Sequence, residues 1–184
     1  MSAEADKGVN DMISRQKLVI PTYEMDEAEK APVFYDVRNH QGTRGNIYPI
    51  PMTDTFKNVK TDREYDAIRL ENEFIRVTVL PQLGGRIYEG YDKKADYHFV
   101  YKNNVIKPAL IGLCGAWISG GIEFNWPQHH RPTTFMPVDS WIEKGEDGSE
   151  TAWMGEYEPL FGMKGMVGVT IWPGKAYVTV KTRL

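Results

Sequence analysis

A chain of 184 residues is long enough for one domain with a sizeable buried core. Its net charge of −3, spread over 26% charged residues, leaves no basic stripe for a phosphate backbone. No apolar run approaches the roughly 20 residues a membrane helix requires, so neither nucleic acid nor membrane is an expected partner. The single cysteine, Cys114, excludes an intrachain disulfide and a cysteine-rich zinc site, and a thiol of this kind packs as a small hydrophobe.

Seventeen glycines and eleven prolines point to short strands joined by tight turns. Residues 1–17 are polar and aperiodic and read as an N-terminal arm without the basic and apolar regions of a secretory signal, so cytoplasmic residence is expected. Residues 18–184 read as one β-sandwich domain. Lys17–Pro21 suggests a short strand stopped by its proline, and residues 22–66 read as an irregular extended layer. From Ala67 the pattern sharpens. In Phe74–Leu80, Ile75, Val77 and Val79 alternate with Arg76 and Thr78, the period-2 signature of a strand. Pro81–Gly85 forms a turn and Arg86–Tyr88 resumes an extended course. Tyr97–Tyr101 and Val105–Leu110 follow as short strands. Ser140–Glu143 and Thr151–Tyr157 flank a turn at Gly145–Gly148, and Met166–Trp172 and Ala176–Thr182 flank another at Pro173–Lys175. The last run ends without turn or cap. Such an open edge is expected to pair with a further segment, a second chain or another copy.

Chemistry concentrates in Trp117–Phe135. Gly120-Gly121 permits close backbone approach. Beyond it, Glu123 and Asn125 share one face of an extended segment and Phe124 takes the other. Trp126, His129, His130 and Arg131 follow. Carboxylate, imidazole, guanidinium, amide and indole groups together suit hydroxyl recognition, ring stacking and acid–base work near neutral pH. The residues expected to carry chemistry are Glu123, His129 and His130, and those expected to bind substrate are Arg86, Trp117, Asn125, Trp126 and Arg131. The alternative is a turn-rich architectural segment whose indoles fill a core. No zinc spacing, phosphate-loop spacing or nucleophile elbow occurs, so no metal or cofactor is expected. His40 and His98 read as structural.

The runs Leu70–Ile87, Val105–Leu110 and Gly120–Thr134 together resemble a bacterial family of unassigned function. Its members often precede tetratricopeptide repeats in long cytoplasmic proteins and are grouped with the galactose-mutarotase-like β-supersandwiches. The resemblance runs over about residues 17–184. It implies an all-β, antiparallel supersandwich, of which this chain would form the N-terminal portion, and a carbohydrate ligand. Gly120-Gly121, Glu123, Asn125, His129 and His130 stand where mutarotases line their sugar cleft. The glutamate base that mutarotases draw from a much later strand has no counterpart before Leu184. Three functions are therefore expected: a glycoside hydrolase or sugar epimerase, with Asp139 or Glu156 as a second carboxylate for hydrolysis; a non-catalytic sugar-binding module; or a structural domain that pairs through its open edge.

Overall fold

The computed structural model describes residues 11–31, 49–112, 114–126, 130, 132–159 and 161–184. Eleven strands and no α-helix occur among them. A first antiparallel sheet runs, in spatial order, β1 (Ile13–Met25), β2 (Phe56–Glu71), β3 (Ile75–Leu80), β4 (Arg86–Asp92) and β5 (Tyr97–Val100). A hairpin follows, of β6 (Pro108–Gly112) and β7 (Gly115–Ile118). The second sheet holds β8 (Asp139–Lys144), β9 (Glu150–Glu158), β10 (Met163–Ile171) and β11 (Val178–Arg183), ordered β11-β10-β9-β8. The fold is an all-β antiparallel sandwich.

Period-2 alternation places the core. Ile68 and Leu70 of β2 and Ile75, Val77 and Val79 of β3 turn to one side of the first sheet. There they meet Ala152 and Met154 of β9 and Val169 and Ile171 of β10. The opposite side of the first sheet is covered as well. Tyr65, Ala67, Leu80 and Tyr88 pack against Ile106, Ala116, Ile118 and Phe135, which come from the hairpin region and a 3-10 turn over Pro132–Phe135. Burial on both sides explains why Thr78, on the polar parity of β3, is itself buried.

Two boundaries differ from the sequence reading. The strand expected to begin at Lys17 begins at Ile13, within the stretch taken for an arm, and continues past Pro21 to Met25. Proline is tolerated because β1 is the end strand of its sheet, and the bridge to Ile106 on its outer side uses Pro21 O and Tyr23 N–H, not an N–H at position 21. Residues 56–66, taken for an irregular layer, form the first two-thirds of β2 and pair along β1 from Phe56 opposite Met25 to Leu70 opposite Ile13. Polar side chains there mask a long hairpin because half of β2 faces solvent.

A bulge in β4 shapes the side of the sheet under the hairpin. Val79 lies opposite Ile87 and Thr78 opposite Glu89, so Tyr88 is the extra residue. Ile87 stays in the central core, while Tyr88 and Glu89 both turn to the other side. Glu89 accepts from Arg76 Nη2 at 3.0 Å and Lys102 Nζ at 3.2 Å. His98 lies 3.8 Å from the same carboxylate and packs on Tyr91 with ring centroids 5.0 Å apart and planes tilted by 50°.

Burial of Glu89 by itself would raise its pKa, but hydrogen bonds from Arg76 and Lys102 outweigh it and hold the carboxyl below the ordinary 4.5. A depressed folded-state pKa contributes stability that is present above 4.5 and is lost as pH falls through the folded value. Glu89→Gln should therefore flatten the acid limb of a Tm-against-pH curve relative to the wild type; parallel acid limbs would refute the assignment. In the central core, Val77→Ala should cost about 2 kcal/mol or more by urea denaturation, because two methyl groups leave a site enclosed by both sheets.

Candidate functional site

Beyond β7 the chain turns through Ser119, Gly120 and Gly121 and docks beside β4. Ile87 N–H donates to Ile122 O at 3.1 Å and Ile122 N–H donates to Ile87 O at 2.8 Å. Gly121 has φ +72°, and a Cβ there would lie 2.3 Å from the Ile87 carbonyl oxygen, so this approach requires glycine. From this anchor the extended segment alternates. Glu123 faces Arg86, Phe124 packs against the central core, Asn125 is exposed, and Trp126 turns inward again.

Arg86, the first residue of β4, is 2% exposed. Its Nε donates to Leu83 O at 3.3 Å, its Nη1 to Ile118 O at 2.8 Å and Gly120 O at 2.9 Å, and its Nη2 to Thr134 O at 3.2 Å. Glu123 Oε2 lies 3.6 Å from Nη2 and supplies the opposing charge. Arg86 therefore ties the 3-10 turn over Pro81–Leu83, the end of β7, the glycine turn and the second 3-10 turn to one point. The expectation that its guanidinium reaches a ligand is corrected: it is saturated by main-chain carbonyls and positions Glu123.

The other Glu123 oxygen, Oε1, is 2.6 Å from His130 Nδ1. Both side chains are mostly buried, at 14% and 17% exposed, yet reach the surface. His130 has φ +43°, a left-handed conformation that a non-glycine residue rarely takes and that marks locally constrained backbone. Trp117, on β7 opposite Ala109, sets its indole edge-on to the imidazole at 5.6 Å and 64°. The indole Nε1 of Trp117 is buried and has no hydrogen-bond partner among the described residues. Behind the turn, Asn103 Nδ2 donates to Ser119 O and Oγ, and Tyr88 OH donates to Asn103 O at 2.8 Å. Burial, then the neighbouring Glu89, pushes the Tyr88 phenol up to about 12, so it remains a donor.

Glu123, His130, Trp117 and Arg86 thus converge, and Asn125 lies exposed on the same segment. Trp126 does not join them. Its ring is 7% exposed and lies over Gly165 of β10, where a Cβ would meet Cζ2 at 2.3 Å. With Phe124, Val138, Met154, Glu156 and Val167 it lines a small space against β9 and β10, so the indole expected to stack on a sugar is a buried packing side chain. His129 and Arg131 lie outside the described residues, as does His40. Among the described residues no group of three or more His, Cys, Asp or Glu side chains is arranged to hold a metal ion. The contributors absent from the sequence reading, the carbonyls of Leu83, Ile118, Gly120 and Thr134, act through the main chain, which carries no residue-type signal.

The geometry joins a carboxylate and an imidazole into one pair. A carboxylate fixed by a buried cation orients an imidazole through Nδ1, which turns Nε2 away from Glu123. If Arg86 organises this arrangement, Arg86→Met should destabilise the fold by about 3 kcal/mol or more, since four carbonyls and a carboxylate lose their donor. Arg86→Lys should recover only part of that loss, because one ammonium cannot span carbonyls set around a planar fork. Equal chemical-denaturation midpoints for wild type and Arg86→Met would refute the role.

The fold matches the crystal structure of a TPR-domain containing protein from Parabacteroides distasonis ATCC 8503, with a TM-score of 0.79 over 92% of this chain at 22% identity. That likeness concerns the fold alone, and this chain spans 28% of the length of that protein. No helix among the described residues is long and apolar enough to cross a membrane. Residues 43–183 match the family described as a domain of unknown function, DUF5107, and over this span the chain belongs to that family.

Proposed function

We propose that this domain binds a carbohydrate and that the Glu123–His130 pair is its reacting centre. The observation that carries the reading is the 2.6 Å contact between Glu123 Oε1 and His130 Nδ1, with Arg86 behind the carboxylate. The resemblance to mutarotase-like supersandwiches supports a sugar as the ligand. Trp117 beside the imidazole and exposed Asn125 supply an apolar wall and an amide for hydroxyls.

Opening a cyclic hemiacetal requires one group to take the proton of the C1 hydroxyl. A second group delivers a proton to the ring oxygen as the C1–O5 bond breaks and C1 becomes an aldehyde; reclosure on the other face inverts the anomer. His130 suits one of these transfers, and the adjacent His129 is the candidate for the other. Glu123, engaged by His130 and Arg86, acts on the imidazole: it fixes the ring orientation and offsets the charge formed when the imidazole is protonated. Glycoside cleavage needs a second carboxylate facing the first across the bond. Glu156 instead lines the space occupied by Phe124 and Trp126, the side chains that alternate away from Glu123. Asp139 lies exposed at the start of β8. Proton transfer at a hemiacetal therefore fits this geometry better than hydrolysis.

The test is a thermal-shift screen against free aldoses, followed by NMR exchange between their α and β anomers. The expected result is a sugar that raises Tm and whose anomer exchange the protein accelerates. Glu123→Gln and His130→Ala should each slow that exchange by roughly 10²- to 10⁴-fold in protein that still shows a cooperative thermal transition. A sugar-dependent Tm rise without accelerated exchange would assign a binding module instead. No response to any aldose would overturn the reading.

A further inference from the structure

The outer side of the second sheet carries a separate feature. Ala152 and Met154 of β9 face the core, so Trp153 between them faces outward, directly opposite Trp141 of β8. The two indoles stack with centroids 6.0 Å apart and planes 15° from parallel. Trp153 is 1% exposed. Its Nε1–H donates to Glu143 Oε2 at 2.6 Å, and the Arg183 guanidinium of β11 lies 4.3 Å from its ring centroid. Gly168 of β10 stands opposite Trp153, where a Cβ would come within 2.8 Å of the ring. Its bare backbone leaves room for Arg183 to reach across from the next strand. The stack is thus guanidinium, indole, indole, and it ends at Trp141 on the outermost strand, 40% exposed.

Asp139 and Glu143, two residues before and after Trp141, share its side of β8 and are exposed. Strand geometry puts each roughly 6.6 Å from it along the chain. An indole held rigid by a second indole and flanked by two carboxylates offers an apolar plane between two hydroxyl acceptors. That combination matches a pyranose, whose C–H side stacks on the ring while hydroxyls at its rim donate to the carboxylates. A cationic ligand gains less here. A single exposed ring contributes only about 0.5–1 kcal/mol to a cation, and one of the two carboxylates, Glu143, already accepts from the Trp153 indole N–H. The geometry points to Trp141 as the platform of a second, surface carbohydrate site that takes one pyranose unit of an oligosaccharide. It shares no residue with the Glu123 site and stands whether or not that site turns over a sugar.

The experiment uses the whole chain. Electrophoretic retardation is measured in gels containing soluble β-glucan, xylan or galactomannan, and Trp indole ¹H–¹⁵N resonances are followed during titration with the matching oligosaccharides of four to six units. At least one polysaccharide should retard the protein, and its oligosaccharide should shift the Trp141 indole resonance. Trp141→Ala should weaken binding by about tenfold or more, Asp139→Asn severalfold, and Trp141→Phe should retain part of it. Trp141→Ala should leave anomer exchange at His130 unchanged, and Glu123→Gln should leave the gel retardation unchanged, so failure at one site is told apart from failure at the other. Three outcomes overturn the proposal: no polysaccharide retards the wild type, Trp141→Ala is retarded equally, or an arginine-rich peptide shifts the Trp141 resonance while the glycans do not.

Discussion

A guanidinium that is 2% exposed must be compensated on every side, because removing a charge from water costs several kcal/mol unless hydrogen bonds and an opposite charge replace it. Arg86 meets that requirement with four main-chain carbonyls and one carboxylate drawn from residues 83 to 134. The four carbonyls come from a 3-10 turn, a strand end, the glycine turn and a second 3-10 turn, so satisfying one side chain reinforces the few main-chain bonds, such as Gly84 N–H to Met136 O, that join these segments. The planar fork imposes direction as well as proximity, which an ammonium would not.

The candidate site inherits its order from that constraint. Glu123 is reached by a chain that can approach β4 only because Gly121 lacks a Cβ, and its carboxylate is then shared between Arg86 and His130. His130 is held in a left-handed conformation beside Trp117. The bulge at Tyr88 contributes from behind, sending two successive side chains to the side of the sheet on which the glycine turn rests. Backbone strain, a buried cation and a short carboxylate–imidazole contact coincide at one place.

Tryptophan shows how little residue type decides by itself. Trp117 borders the imidazole, Trp126 packs over Gly165 of β10, and Trp141 closes an exposed stack on the outer side of the second sheet. All three lie within 25 residues of sequence. Strand parity and the position of small partners separate them: Gly165 accepts one ring, and Gly168 admits the arginine that seals another stack from behind.

Much of the fold was legible in the chain because alternation in a strand is a local property. Ile75, Val77 and Val79 declared their shared side, and the turns at Gly145–Gly148 and Pro173–Lys175 declared the C-terminal hairpins. The long β1–β2 pairing was not legible, since polar residues along an outer hairpin carry no apolar period. For the site, the sequence determined which groups stand near one another along the chain: Glu123, Asn125 and His130 after two glycines. Only the tertiary structure decided that Arg86 turns inward to main-chain carbonyls, that Trp126 belongs to the core, and that Glu123 and His130 meet. Those outcomes depend on carbonyl positions and strand parity across segments remote in sequence, and neither is written in the identity of any one residue.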